Sequence, residues 1–282
     1  MDALRLDDIS KSFSGRKVLD GISLTVEKGE IFGLLGPSGA GKTTIIRILT
    51  GQLTADGGSS FIGGVESEKQ TADEKKRYGI MMDDFGLYKR LSCTENLKVF
   101  ARIYGLDNSA VDNALKQVGL YDHRKKAAGA LSKGMHSRLR LARVFMIQPD
   151  ILFLDEPTSG LDPSAADAIQ KLIIAQRDSG RTVFLTTHNM AEASKLCGRV
   201  GLLCDGKLIE CGAPDEICRR YDSKKTIRLR LYGGEERVLP HTASSAEAIS
   251  ELLAGGRVET IHSSEPDLET VFTELTGKEL SA

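Results

Sequence analysis

Two short stretches carry residues whose types and spacing suit phosphate chemistry. The first is "GPSGAGKT", which fits G-x-x-x-x-G-K-[ST]. Its members are Gly36, Pro37, Ser38, Gly39, Ala40, Gly41, Lys42 and Thr43, with Thr44 opening the next segment. The glycines let the backbone curl until its N–H groups face phosphate oxygens, and a helix N-terminus behind them adds partial positive charge. Lys42 can reach β- and γ-phosphates, and the Thr43 hydroxyl suits Mg²⁺. The second stretch is "ILFLDEP", where Asp155 ends an apolar run and suits direct or outer-shell Mg²⁺ binding. Glu156 projects differently and can polarise a water towards a γ-phosphate. Either stretch alone could be a polar turn. Together they imply hydrolysis of a Mg-bound nucleotide.

Such groups need rigid elements behind them. "EIFGLL" reads as a buried strand before the loop, and "TTIIRIL" as the helix after it. Residues 1–90 otherwise alternate short β-like runs with turns. Residues 91–148 read as almost wholly helical, with Thr94 as N-cap of "TENLKVFARIYGL". Beyond them "DILFLDEP" and "TVFLTTH" are buried-strand patterns flanking an amphipathic helix, "SAADAIQKLIIAQRDSG". Strand, helix and strand with short connections predict an α/β fold around a mostly parallel sheet. From about residue 221 the pattern changes to a period-two strand, "TIRLRLY", and short helices, a small α+β appendix over 221–282.

The chain has 282 residues, 27% charged, with net charge −1, so nothing favours nucleic acid as a partner. No run approaches the about 18 apolar residues that span a bilayer, and "MDALRLDDIS" has no apolar core of a signal peptide. The expected location is the cytosol, with any membrane work done through a partner. Cys197, Cys204, Cys211 and Cys218 recur every seven residues, but turn signals interrupt them and the spacing is not that of a metal site.

Residues 131–163, "LSKGMHSRLRLARVFMIQPDILFLDEPTSGLDP", resemble the signature-to-second-Walker region of ABC ATPases. "SGLD" at 159–162 resembles the family's D-loop, and His188 falls at its switch histidine. Phe13 falls where an aromatic residue stacks on adenine. The resemblance runs continuously over residues 3–220. It implies a P-loop ABC ATPase fold over 1–220, with an antiparallel β subdomain and a helical subdomain at about 91–148. It implies that ATP and Mg²⁺ bind, and that two subunits, identical or paired, meet head to tail. Ser132 and Gly134 of one subunit would then close on the γ-phosphate held by the other, with Asp162 at the seam. Lys133 and Met135 replace the usual Gly and Gln of the signature, while Ser132 and Gly134 are kept. The catalytic set implied is Lys42, Glu156 and His188, and the metal set Thr43, Asp155 and Asp83.

The resemblance leaves three kinds of work open. A transporter subunit with separate membrane permeases leads, on the cytoplasmic face of the membrane. A soluble ABC-type ATPase of translation or DNA repair is second; such relatives carry two cassettes or a long coiled coil, and neither is visible. An unrelated P-loop kinase is third, disfavoured by the complete signature. The closing "DLETVFTELTGKEL" resembles the end of bacterial exporter subunits. In "YGIMMDDFGLYKRL", Asp83 falls where the family has its Q-loop glutamine, and Asp84 is expected in solvent. Asp83 would approach Mg²⁺ through a water, or would shape the loop against the membrane partner.

Overall fold

The computed structural model describes residues 2–82, 86–222, 225–264 and 266–278. The chain divides into two compact units, the first running to Gly212 and the second starting at Ala213. The first opens with an antiparallel hairpin, β1 (Asp2–Phe13) and β2 (Arg16–Glu27), followed by β3 (Ile31–Leu35) and α1 (Lys42–Leu49). Next come β4 (Gly57–Ile62), β5 (Val65–Glu66), the short α2 (Ala72–Lys75) and β6 (Tyr78–Met81). The helical region holds α3 (Cys93–Tyr104), α4 (Asn108–Gln117) and α5 (Lys133–Phe145). Then β7 (Ile151–Asp155), α6 (Pro163–Asp178), β8 (Thr182–Thr187), α7 (Met190–Leu196), β9 (Arg199–Cys204) and β10 (Lys207–Gly212) close the unit.

Six strands form one sheet in the order β10-β9-β3-β8-β7-β6, parallel except at the β9–β10 edge. Its middle strands β3, β7 and β8 are buried at every residue, as strands covered on both faces must be. A second sheet, β2-β1-β4-β5, is antiparallel. One apolar cluster joins the two, with Leu4, Ile9 and Ile22 from the antiparallel sheet and Phe32, Phe153 and Phe184 from the parallel one. Phe32 and Phe184 stack with ring centroids 5.8 Å apart.

Three expectations change. The opening strands are not short: β1 and β2 run 12 residues each. Register shifts after Asp2, Leu6, Ile9 and Lys11 break the period-two pattern that would have marked their length. The helix N-cap is Ser92 rather than Thr94. Ser92 has a glutamate three residues on, and the two close a capping box: the Glu95 N–H donates to Ser92 Oγ at 3.2 Å, and Glu95 Oε2 accepts the Ser92 N–H at 2.8 Å. Three residues after Thr94 stands Leu97, which cannot return that bond. Between α4 and α5 the chain makes turns and two short 3₁₀ segments, so 91–148 is less fully α-helical than its composition suggests.

The second unit holds α8 (Pro214–Arg220), β11 (Thr226–Leu231), β12 (Glu236–Pro240), α9 (Ala246–Ala254), β13 (Val258–Ser263) and α10 (Leu268–Thr276). Its antiparallel sheet, β12-β11-β13, buries Leu229 and Leu231 with Leu252 of α9. The unit combines a three-stranded sheet with helices, and it begins at Ala213, eight residues ahead of the change of pattern at about 221.

Candidate functional site

β3, β8 and β7 lie side by side and parallel, so their carboxyl ends share one edge of the sheet. The register sets Leu35 opposite Thr187 and Asp155 opposite Thr186. Gly36 leaves β3, Glu156 leaves β7 and His188 leaves β8 at nearly one level. Open α/β sheets place ligands at such an edge.

The loop from Gly36 needs its glycines for different reasons. Gly39 (φ 79°) and Gly41 (φ 108°) are left-handed, which side chains disfavour. At Gly36 the constraint is space, since an added Cβ would lie 2.2 Å from the Leu203 carbonyl oxygen. Gly36→Ala must therefore displace either the loop or β9. We expect a loss of about 2 kcal/mol of stability, as overpacking typically costs, read as a lower midpoint in urea unfolding. Gly41 caps α1 without a side-chain bond, so the helix presents backbone N–H groups to the loop.

Lys42 is only 7% exposed. Its ammonium donates to the carbonyls of Gly36 (2.6 Å) and Pro37 (3.2 Å) and pairs with Glu156 Oε1 at 3.2 Å. The other carboxylate oxygen of Glu156 stands 2.8 Å from His188 Nδ1. Lys42, Glu156 and His188 thus form one line of contacts across three strand ends. Glu156 holds a left-handed backbone (φ 48°), a conformation that costs a non-glycine residue about 1 kcal/mol or more. Its N–H donates to the Thr186 carbonyl at 3.1 Å.

Asp155, buried at the end of β7, accepts hydrogen bonds from the hydroxyls of Thr43 (2.8 Å) and Thr186. Among the described residues no three His, Cys, Asp or Glu side chains cluster as a metal cage. Mg²⁺ does not need one: it keeps several waters and takes one or two protein oxygens together with phosphate. The hard oxygens of Thr43 and Asp155, in contact beside the phosphate loop, fit that requirement.

A cavity of about 260 Å³ opens over these groups, lined by Val18, Ser38, Gly39, Gly41, Lys42, Thr43, Thr44, Asp155 and Glu156. The two stretches that chemistry singles out therefore meet, and His188 joins them through Glu156. Gly36 and Pro37 contribute carbonyls, and Ala40 is buried. Phe13 is not in this lining. It sits at the tip of the β1–β2 hairpin, 45% exposed, with Lys11 Nζ 5.7 Å from its ring centre. Ser132, Gly134 and Asp162 are elsewhere too. Ser132 caps α5, accepting the Met135 N–H at 3.3 Å, and Asp162 caps α6, accepting the Ala165 N–H at 2.9 Å. Asp83 and Asp84 lie outside the described residues.

Thr186 and Val18 belong to the site without any motif to mark them. The β8 register brings Thr186 to Asp155, and β2 brings Val18 to the loop. The pair of threonines that ends the buried "TVFLTT" was the only signal for the first. The cysteines spaced by seven sit on or beside different elements: Cys197 after α7, Cys204 in β9, Cys211 in β10 and Cys218 in α8. Burial pushes the Cys197 thiol far up, with the charges of Glu192 and Glu30 adding to it.

Residues 19–159 match the family described as "ABC transporter". The chain is 39% identical over 267 residues to a fluoroquinolones export ATP-binding protein of Mycobacterium tuberculosis (strain CDC 1551 / Oshkosh), covering 93% of this chain and 88% of that one. It is 32% identical over 308 residues to a linearmycin resistance ATP-binding protein of Bacillus subtilis (strain 168), covering 98% and 99%. A solved ATP-binding subunit of an ABC transporter superposes with a TM-score of 0.69 at 27% identity, over 78% of this chain and 93% of that one.

Proposed function

Since this chain belongs to the ABC transporter family, as an ATP-binding and ATP-hydrolysing subunit, we propose that the Lys42–Glu156–His188 contact line is its hydrolytic centre and that it powers export. The reading rests on one observation: three residues far apart in sequence touch at adjacent strand ends, over a cavity walled by the phosphate loop.

Phosphates enter over the amides of the loop, and Lys42 exchanges its bonds to Gly36, Pro37 and Glu156 for β- and γ-phosphate oxygens. Thr43 and Asp155 would hold Mg²⁺, which neutralises charge developing on those oxygens. Glu156 takes a proton from the attacking water as the water oxygen bonds to the γ-phosphorus and the bond to the β-phosphate oxygen breaks, releasing ADP and phosphate. His188 orients Glu156 and faces the γ-phosphate. Ser132 and Gly134 open α5, where the N-cap hydroxyl and helix dipole suit an anion. They would close on the nucleotide of a second ATPase subunit, with Asp162 at the seam and Phe13 against adenine.

No helix among the described residues is long and apolar enough to cross a membrane. Separate permease subunits would hold the chain at the cytoplasmic face. A groove of about 490 Å³ lined by Met82, Gly86, Phe100, Tyr104 and Arg143 offers them a cationic and aromatic seat. Asp83 falls between Met82 and Gly86 in sequence and would face metal-bound water or that partner. Support for export comes from extent. The relatives named for fluoroquinolone export and linearmycin resistance align over nearly the whole chain, second unit included, whereas the solved subunit accounts for 78% of it.

The purified chain should release phosphate from ATP only with Mg²⁺. Asp155→Asn keeps the shape of the side chain and removes its charge. The Mg²⁺ concentration giving half-maximal rate should rise about tenfold or more, as for other metal-site changes. An unchanged Mg²⁺ titration would remove Asp155 from the metal site, and no phosphate release at any Mg²⁺ concentration would overturn the hydrolytic reading.

A further inference from the structure

Glu192 lies in the first turn of α7, one turn past His188, and no motif claims it. It is 5% exposed. A carboxylate taken out of water needs strong partners, because an unpaired one is strongly disfavoured. Its partners come from two other parts of the chain. Thr158, two residues past Glu156, donates its hydroxyl to Oε2 at 2.6 Å. Gln170, in the middle of α6, donates its amide to Oε1 at 3.1 Å. The Glu192 backbone N–H donates to Asn189 Oδ1 at 2.9 Å, and the Asn189 N–H donates to Thr187 Oγ1 at 3.0 Å.

This network joins the segments that carry the catalytic pair. His188 stands on the turn that Thr187, Asn189 and Glu192 hold together. Glu156 stands two residues before Thr158, on a left-handed backbone that must be held in place by its surroundings. One carboxylate therefore fixes the turn under the histidine and the turn after the glutamate, and these two side chains must stay 2.8 Å apart. Through Gln170 the same carboxylate grips α6, whose N-cap is Asp162 and whose Ala165 packs against Gly134 so closely that an added Cβ there would lie 2.8 Å away. The position of α6, and with it the signature end of α5, is thus tied to the turn that carries His188.

We propose that Glu192 is a positioning residue for hydrolysis, setting the His188–Glu156 geometry through its hydrogen bonds to Thr158 and Gln170. This rests on Glu156 and His188 acting as assigned above. It is the hydrogen-bond pattern that matters, so a glutamine can take its place: its oxygen accepts from Gln170 and its amide donates to the Thr158 oxygen. Alanine can do neither.

The test is steady-state ATP turnover by the full chain with Mg-ATP, run beside thermal unfolding. For Glu192→Ala we expect kcat to fall about tenfold with KM for ATP within about twofold, the pattern of an interaction that matters only at the transition state. Glu192→Gln should keep at least about half of wild-type kcat, and Thr158→Val, which removes one of the two donors, should lower kcat about threefold. Should Glu192→Ala fail to fold, the other two variants still decide. Wild-type kcat in folded Glu192→Ala, or in Thr158→Val, would overturn the proposal. So would Glu192→Gln as slow as Glu192→Ala, since the charge and not the bonding would then be at work. A wild-type chain without turnover would instead refute the hydrolytic reading itself.

Discussion

Glu156→Gln should lower ATP turnover about a thousandfold, the middle of the range that general-base catalysis contributes, while ATP still binds. The carboxylate has two jobs in this geometry. One oxygen faces the Lys42 ammonium at 3.2 Å and the other faces His188 Nδ1 at 2.8 Å. In glutamine one of those oxygens becomes an NH₂ group. It cannot face a cation, so it turns to the histidine and donates to Nδ1. The variant therefore loses its proton acceptor while keeping a hydrogen bond to His188, which favours a bound, unhydrolysed nucleotide. With saturating Mg-ATP the variant should elute from a sizing column as a dimer, and a monomer there would count against dimerisation around ATP. Turnover within about tenfold of wild type would remove Glu156 as the base.

How much of this site could be read in advance depends on the range of the interactions. Gly36–Thr43 was legible because every part of the loop is local: the glycines curl the same backbone that Lys42 reaches over. Asp155 and Glu156 were legible as the polar end of a buried strand, and His188 only through the resemblance to ABC ATPases. Their contact was not, since it depends on β3, β8 and β7 being neighbours in register, a non-local fact. Thr186 and Glu192 were missed for the same reason. A glutamate in "NMAEAS" has the spacing of any helical surface residue, and only folding brings Thr158 and Gln170 to it. The long hairpin was obscured by its own bulges. β12 left no pattern at all, being an edge strand exposed along most of its length and ending in Pro240. The α+β character of the second unit still showed, because β11 buries alternate residues.

Lys42→Ala should raise the dissociation constant for ATP about a hundredfold or more, measured by titration with a fluorescent ATP analogue. Charge-assisted hydrogen bonds are worth about 1.5–3 kcal/mol each, and this ammonium is placed to make more than one of them to phosphate. Its removal also disturbs the protein. The carbonyls of Gly36 and Pro37 lose their donor, and Glu156, largely buried, loses its cation. A loop whose curl is held in part by that side chain then presents its amides less well, so affinity falls through shape as well as charge. Lys42→Arg separates the two effects. Arginine keeps the charge, but its guanidinium is planar and wide, and the lysine head stands in a space only 7% open to solvent among three fixed acceptors. A point charge fits there and a fork does not. The arginine variant should therefore bind ATP nearly as poorly as the alanine one. Wild-type affinity in Lys42→Arg would mean that charge alone suffices and the close fit is incidental, and affinity within about threefold of wild type in Lys42→Ala would exclude the lysine from phosphate binding.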